Sequence, residues 1–379
     1  MKKYLILLTV VIMCLALILS MVTISCGPKE KAKLKILCFQ GYAEPEWVKP
    51  FEEKYNCTVE VTNMGSSDEA FTKVKAAPDQ FNIISVDSGR VKVYYDAGLI
   101  QSIDTAKFEN YGKIGEYFRT QKYAELETGK KFQVPICWGI QSFLVNVGVA
   151  GEDIKPFLKD LGNGKQSMSY ALFKDPKFKN KVTIFDETTN LICMSAIAAG
   201  IKTPFNLDDN GFAKMEAELT AWAENARAFV SGLDPEMQVA TSGDAVAVFS
   251  GNDSIEAMAL AAQGLGDKFK FFLPTEGTIS WLDGWIISKP TSGESLDLAL
   301  KYIDYMVGDE GQKLLAKKAG FGVVNPAGAS GFSDVIGKAT WWYTNPIDKF
   351  PVPLYVMVPE ENFPKRVEIW QKIKGSMSK

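Results

Sequence analysis

The chain has 379 residues with 42 Lys+Arg against 45 Asp+Glu, a formal charge of −3, 46% hydrophobic and 23% charged residues. This is a globular composition, without the basic excess of a nucleic-acid binder or the apolar content of a polytopic membrane protein. There is no histidine, which excludes a Ser-His-Asp triad, a His-ligated zinc and an imidazole general base.

Lys2 and Lys3, an apolar run over 4–24 and then Ser25-Cys26-Gly27 form the basic start, hydrophobic stretch and small-residue break of a secretory signal peptide. Ser25-Cys26 resembles a lipobox, with Thr23 where leucine is usual, so Cys26 is expected to become a lipidated N-terminus. An uncleaved anchor is the other reading, because the run approaches the ~20 apolar residues that span a bilayer. Residues 27–33 read as a polar tether.

From Leu34 onward strand and helix alternate. Strands are expected at 35–39, 58–62 and 81–86, with helices through Trp47, Phe51 and Tyr55 and through Phe71 and Val74. A second such unit has a strand at 181–185 and a helix from Thr189 that ends at Gly200. Phe212, Met215, Leu219, Trp222, Ala226 and Phe229 fall at steps of three and four, which predicts one long apolar helical face. A strand at 245–249, a helix from about Asp253 and a helix at 295–307 follow, and Gly320 is expected to stop the helix after that. The stretches 134–146 and 279–288 are long, apolar and β-rich and bracket the second unit. They read as crossovers between two lobes with a cleft between them. The fold class is α/β, with mostly parallel sheets covered by helices on both faces. Cys38, Cys57, Cys137 and Cys193 show no metal spacing and read as small buried hydrophobes.

In open parallel sheets, ligands bind beyond the carboxyl ends of the strands. Those junctions here carry Gln40, Gly41 and Tyr42; Asp87, Ser88 and Gly89; Asp186, Glu187 and Asn190; and Ser250 through Asp253. The second crossover adds Trp281, Asp283 and Trp285, and Arg90 is the one base nearby. Carboxylates and rings on one cleft suit an organic cation, because a desolvated ammonium needs a paired carboxylate and aromatic walls add about 0.5 to 2 kcal/mol each. A flexible diamine would need a carboxylate near each end. Asp87, Asp186 and Asp253 all precede helices and could equally be N-caps. Phe39, Phe249 and Phe321 could be core. Asp283, set in an apolar run between two tryptophans, should have a cationic partner, whether a guest or a lysine or arginine of the chain.

Val134-Pro135-Ile136-Cys137-Trp138-Gly139 with Asn146, then Trp281-Leu282-Asp283, then 299–303 running to Gly320-Phe321 and Asn325, resemble the spermidine/putrescine-binding proteins. These are solute receptors of ABC importers with the two-lobed type II periplasmic-binding fold. The resemblance implies that Tyr42 lines the ligand and that Phe39 stands where the family has tryptophan. It implies that Trp281 stacks on an alkyl chain and that Asp283 takes an amine. Glu187 and Asn190 fall at a pair of acidic positions, Phe249 and Phe321 replace a tryptophan and a tyrosine, and Asp87 stands near a serine position. It further implies a cationic solute and an ABC permease as partners, anchorage to the membrane through Cys26, a monomeric state, no cofactor or metal, and a periplasmic or cell-surface location. The expected organisation is lobe 1 over 34–137, lobe 2 over 138–282 and a return to lobe 1 from 283, with the lobe of 341–379 open. Three rivals stay: the same receptor holding an anion on Arg90, a thiaminase-like enzyme with a cysteine nucleophile, and a surface adhesin. A ferric site on Tyr94-Tyr95 is disfavoured by the apolar helix they occupy.

Overall fold

The computed structural model describes residues 31–345 and 347–377, so the export segment and Cys26 lie outside the described residues. The first half-lobe contributes β1 (Lys33–Cys38), β2 (Thr58–Asn63), β3 (Ile83–Asp87), β4 (Ile100–Gln101) and β5 (Val134–Ile140). A second group follows: β6 (Ser142–Asn146), β7 (Leu158–Gly162), β8 (Lys165–Met168), β9 (Val182–Phe185), β10 (Ala226–Val230), β11 (Ala247–Ser250) and β12 (Phe269–Pro274). The chain then returns through β13 (Thr278–Ser288), β14 (Gly322–Val323) and β15 (Leu354–Val356).

Two sheets result. The first runs β14-β5-β13-β3-β1-β2, with β4 and β15 also on β13, and the second runs β10-β9-β11-β6-β12-β8-β7. The α/β units pair in parallel, β1 with β2 and β3, and β9 with β10 and β11. The return strand β13 and the linking strand β6 run antiparallel to their neighbours, so each sheet is mixed at its crossover.

The helices are α1 (Pro45–Tyr55), α2 (Ser67–Ala76), α3 (Val91–Asp96), α4 (Thr188–Ala198), α5 (Asp209–Asn225), α6 (Leu233–Thr241) and α7 (Asp253–Ala262). They continue with α8 (Gly293–Val307), α9 (Asp309–Lys318), α10 (Asp334–Ala339) and α11 (Phe363–Met377). Local chemistry sets their limits. Pro45 opens α1, where its missing N–H costs nothing, and Asn56 closes it at φ 47°. The Ser66 hydroxyl accepts the Glu69 N–H at the start of α2, and Asp208 accepts the Gly211 N–H at the start of α5. Gly320 ends the segment after α9 at φ +69°.

Two details differ from the sequence expectation, and a third concerns the C-terminal segment whose lobe was open. The apolar period through Phe212, Met215, Leu219 and Trp222 is the buried face of α5, but that helix stops at Asn225. The Asn225 side-chain amide donates to the carbonyls of Phe173 and Asp175 at 3.1 and 2.9 Å, and Ala226 to Val230 instead hydrogen-bond to the open edge of β9. The lobe limits also move inward: Trp138 to Ile140 and Ser280 to Leu282 pair with each other in the first sheet, so the second sheet spans Ser142 to Pro274. Finally, the chain crosses a third time. After β15 it leaves the first sheet, and α11 packs Ile369, Trp370 and Ile373 into the core formed with α4 and α5. The buried Arg366 secures that docking through an ion pair to Glu360 at 3.2 Å and a hydrogen bond to the Pro204 carbonyl at 3.1 Å.

Candidate functional site

β3 ends at Asp87, and the antiparallel register of β13 sets Asp283 directly opposite it. Like charges on facing positions destabilise a sheet, so this pair needs a compensating charge. The Tyr42 hydroxyl donates to Asp283 Oδ2 at 2.5 Å. Burial pushes the Asp283 carboxyl up to about 7, the Asp87 charge adds to that, and the Tyr42 hydrogen bond only partly offsets it. Among the described residues no lysine or arginine forms an ion pair with Asp283. Its neighbour Gly284 has no room for a side chain, since a Cβ there would lie 2.4 Å from the Val134 carbonyl oxygen. The β13–β5 register slips between Asp283 and Gly284, an irregularity of the kind that re-aims a side chain beside a site.

A row of rings extends from this acid. Phe39 meets Tyr42 edge-on at 6.1 Å, Tyr42 meets Phe321 at 5.4 Å, and Phe321 meets Trp281 at 5.4 Å. Trp281 lies flat on the backbone of Gly139, where a Cβ would fall 1.9 Å from its ring. Trp281 and Asp283 are two apart on β13 and share a face. Five of the nine residues expected to line a ligand, Phe39, Tyr42, Trp281, Asp283 and Phe321, therefore converge, and Asp87 makes a sixth.

The other three are placed differently. Phe249 is 1% exposed and stacks on Phe173 at 4.0 Å within a cluster that includes Trp222 and Tyr170, away from the ring row of Tyr42, Phe321 and Trp281. Alternation along β11 turns position 249 to that cluster. Glu187 caps α4 by accepting the Asn190 N–H at 2.7 Å, and burial raises its carboxyl to about 7. Asn190 contributes that backbone N–H, and its side chain makes no hydrogen bond among the described residues. The base near Glu187 is Arg90, whose guanidinium ion-pairs with Asp68 at 3.2 Å and lies over the Phe363 ring at 4.4 Å. Burial works against the Arg90 charge, but Asp87, Asp68, Glu187 and Glu360 outweigh it and hold the group above its usual value.

Asp253 stands at one of the strand-end junctions named from the sequence, where it could equally be a helix cap, and it is not among the nine residues expected to line a ligand. Asp253 is 1% exposed. Its Oδ1 accepts the Ser254 N–H at 2.7 Å and the Tyr343 hydroxyl at 2.9 Å, while its Oδ2 has no partner. Two more buried oxygens, Gln141 Oε1 and Ser142 Oγ, also lack partners, and Gln141 lies against Gly251. Burial raises the Asp253 carboxyl to about 7. The first turn of α7 also abuts the ring row: a Cβ on Gly41 would touch both Phe321 and Ile255, and the Ser254 hydroxyl donates to the Ala319 carbonyl at 2.9 Å. The signal in the sequence was that residues 245–267 carry three acids, Asp253, Glu256 and Asp267, and no lysine or arginine.

The chemistry open to this cleft is recognition. Cys38, Cys57, Cys137 and Cys193 are free and buried. Burial lifts every one of these thiols, Cys38 to about 12, which is the reverse of an activated nucleophile. Among the described residues no group of three or more Cys, Asp or Glu is arranged to hold a metal ion. Tyr94, weighed for iron, is buried edge-on against Phe71.

Residues 46–338 match the family model for bacterial extracellular solute-binding proteins. A putrescine/cadaverine-binding protein of Pseudomonas aeruginosa is 22% identical over 306 residues, covering 78% of this chain and 80% of that protein. A spermidine/putrescine-binding periplasmic protein of Haemophilus influenzae is 21% identical, over 73% of this chain and 70% of that protein. Among solved structures, the substrate-binding protein of a spermidine/putrescine ABC transporter from Streptococcus pneumoniae superposes with a TM-score of 0.72 at 18% identity, over 91% of this chain and 99% of that one. With two sheets joined by crossover strands and a family match over most of its length, the chain belongs to the bacterial extracellular solute-binding proteins.

Proposed function

We propose that this chain is the lipid-anchored receptor of an ABC importer, closing its lobes on an organic cation of the polyamine class and presenting it to the permease. The anchor is Cys26 and the receptor acts as a monomer outside the cytoplasm. The observation that carries the ligand is Asp283: a buried carboxylate facing a second carboxylate, bonded to Tyr42, ringed by aromatics and without a cation of the chain. On this reading one ammonium sits at Asp283, the alkyl chain lies along Trp281 and Phe321, and a second ammonium reaches Asp253 with Gln141 and Ser142. Asp253 Oδ2 and Gln141 Oε1 are buried without a hydrogen-bond partner, which supports an N–H donor there.

The two curated relatives named above are described as binding putrescine with cadaverine or spermidine, which supports the same ligand class. The anion alternative on Arg90 has one buried guanidinium nitrogen without a hydrogen-bond partner behind it, but four carboxylates already act on that guanidinium and repel a further anion. Isothermal titration with putrescine, spermidine, glutamate and 4-aminobutyrate tests the proposal. Saturable heat with the amines alone supports it, and tighter binding of either carboxylate-bearing solute overturns it.

A further inference from the structure

Outside the proposed slot, two cationic side chains reach from one lobe to a ring of the other. Arg90 follows β3 in the first lobe, where Asp68 in the first turn of α2 pairs with its guanidinium at 3.2 Å, and it lies over the Phe363 ring at 4.4 Å. Phe363 opens α11 and is fixed to the second lobe. The Glu361 N–H donates to the Phe205 carbonyl at 3.1 Å, the Thr189 hydroxyl donates to Glu360 at 2.8 Å, and Trp370 meets Phe229 of β10 at 5.1 Å. Lys165 makes the converse contact: it stands on β8 of the second sheet, with its ammonium 3.7 Å from the centre of the Trp341 ring. Trp341 belongs to the first lobe, because Tyr343 two residues on packs against Trp138 of β5 at 5.2 Å and its hydroxyl accepts the Ile140 N–H at 3.3 Å. A cation within about 6 Å of an aromatic face is attracted by the ring quadrupole, and tryptophan is the strongest ring for it.

Sheet order puts these contacts at opposite ends of the lobe interface. In the first sheet β3 lies on one side of β13, with β5 and β14 on the other, and in the second sheet β9 and β10 form one end while β8 and β7 form the other. Arg90 therefore joins the β3 side to the β9–β10 end, and Lys165 joins the β5–β14 side to the β8–β7 end. Trp281 and Asp283, on β13, lie between them. We infer that Arg90 on Phe363 and Lys165 on Trp341 are two clasps that hold the lobes together at either end of the slot, and so set how long a guest is retained. Departure of a guest requires the lobes to swing apart, which pulls each cation off its ring. The clasps use no side chain assigned to the guest, so the inference holds for whichever solute the slot takes.

Stopped-flow measurement of putrescine dissociation at pH 8 tests the clasps on Lys165→Met, which keeps the stem and loses the charge, on Phe363→Leu, and on the double variant. Each single variant should release putrescine about 2- to 30-fold faster than the wild type. The two factors should multiply in the double variant, because the contacts share no residue. Lys165→Arg keeps a cation over the ring and should stay within about twofold of the wild type. A wild-type rate in either folded single variant overturns the inference, as does a Lys165→Arg rate as fast as that of Lys165→Met. The two Lys165 variants decide the matter alone should Phe363→Leu not fold. If no amine binds, it is the proposed ligand that fails, and the clasps are then judged by small-angle X-ray scattering of the ligand-free protein. Lys165→Met should show a larger radius of gyration than the wild type, and equal radii overturn the inference.

Discussion

Replacing Asp283 by Asn separates binding from folding because the two effects have opposite signs. Asn retains an oxygen for the Tyr42 hydroxyl, so the 2.5 Å contact can persist while the charge is lost. For the guest, removing one member of a buried charge pair costs about 2 to 5 kcal/mol, or roughly 30-fold to several thousand-fold in affinity. For the empty protein the change is favourable. Asp283 moves from 3.8 to about 7 on folding, so above pH 7 the folded state carries an ionised carboxylate that costs on the order of 4 kcal/mol relative to the unfolded chain. At pH 8, Asp283→Asn should raise the melting temperature of the ligand-free protein while titration calorimetry shows putrescine affinity falling by 30-fold or more. A variant that loses stability and affinity together would mean the carboxylate is structural, and the reasoning would fail.

Other consequences follow from the same groups. Ammonium binding requires Asp283 and Asp253 in their charged forms, and both sit at about 7. Affinity should therefore drop between 10- and 100-fold from pH 7 to pH 6 with proton release on binding, seen as a buffer-dependent heat. The ligand-free protein should lose stability as pH rises from 5 to 8, since buried acids raised above their unfolded values stabilise the fold only while protonated. Glu236 and Glu256, both fully buried, belong to this set: burial raises each, the Glu256 charge raises Glu236 further, and hydrogen bonds from Glu236 and Ser250 partly offset the rise at Glu256. Glu236→Gln should raise the melting temperature at pH 8 and leave it nearly unchanged at pH 4.5. Gly139→Ala should displace Trp281 and weaken amine binding about 3- to 30-fold, the range of one aromatic wall. Phe249→Ala should cost about 3 to 5 kcal/mol of stability as a core truncation without changing amine affinity in the folded fraction, and a selective affinity loss would return Phe249 to the cleft.

What the sequence revealed follows from which signals are local. Strand and helix alternation, the apolar face of α5 through Trp222 and the stop at Gly320 rest on neighbours within a turn, and they appear where expected. The Trp281-x-Asp283 spacing was legible for the same reason, since a period of two puts both side chains on one face. What was not legible depended on partners distant in sequence. Phe249 is drawn into the core by Phe173, and the long helix stops because residues 226–230 find the free edge of β9, 40 residues upstream. Glu187 and Asp253 looked alike as acids before helices. Only the fold shows that the Arg90 charge acts on one, while among the described residues no lysine or arginine ion-pairs with the other.

That asymmetry bears on how a guest drives closure. Asp283 belongs to the first sheet and Asp253 to the first turn of α7 in the second lobe, and each is an uncompensated buried acid. Bringing the lobes together without a guest concentrates negative charge in a desolvated space, which disfavours the closed form. On the proposed reading a diamine reverses the sign by giving each lobe its own ammonium, and only a state that binds the guest more tightly gains population from it. The Asp253–Tyr343–Ile140 chain of hydrogen bonds, 2.9 and 3.3 Å, ties the second acid to the residue just before the β5–β6 crossing. Protonation of Asp253 weakens the acceptor at the head of that chain, so acid pH and loss of guest should act on the same hinge. Tyr343→Phe tests this: it should leave putrescine affinity at pH 8 reduced by no more than tenfold while steepening its pH dependence, because Asp253 then loses a donor that favours its charged form.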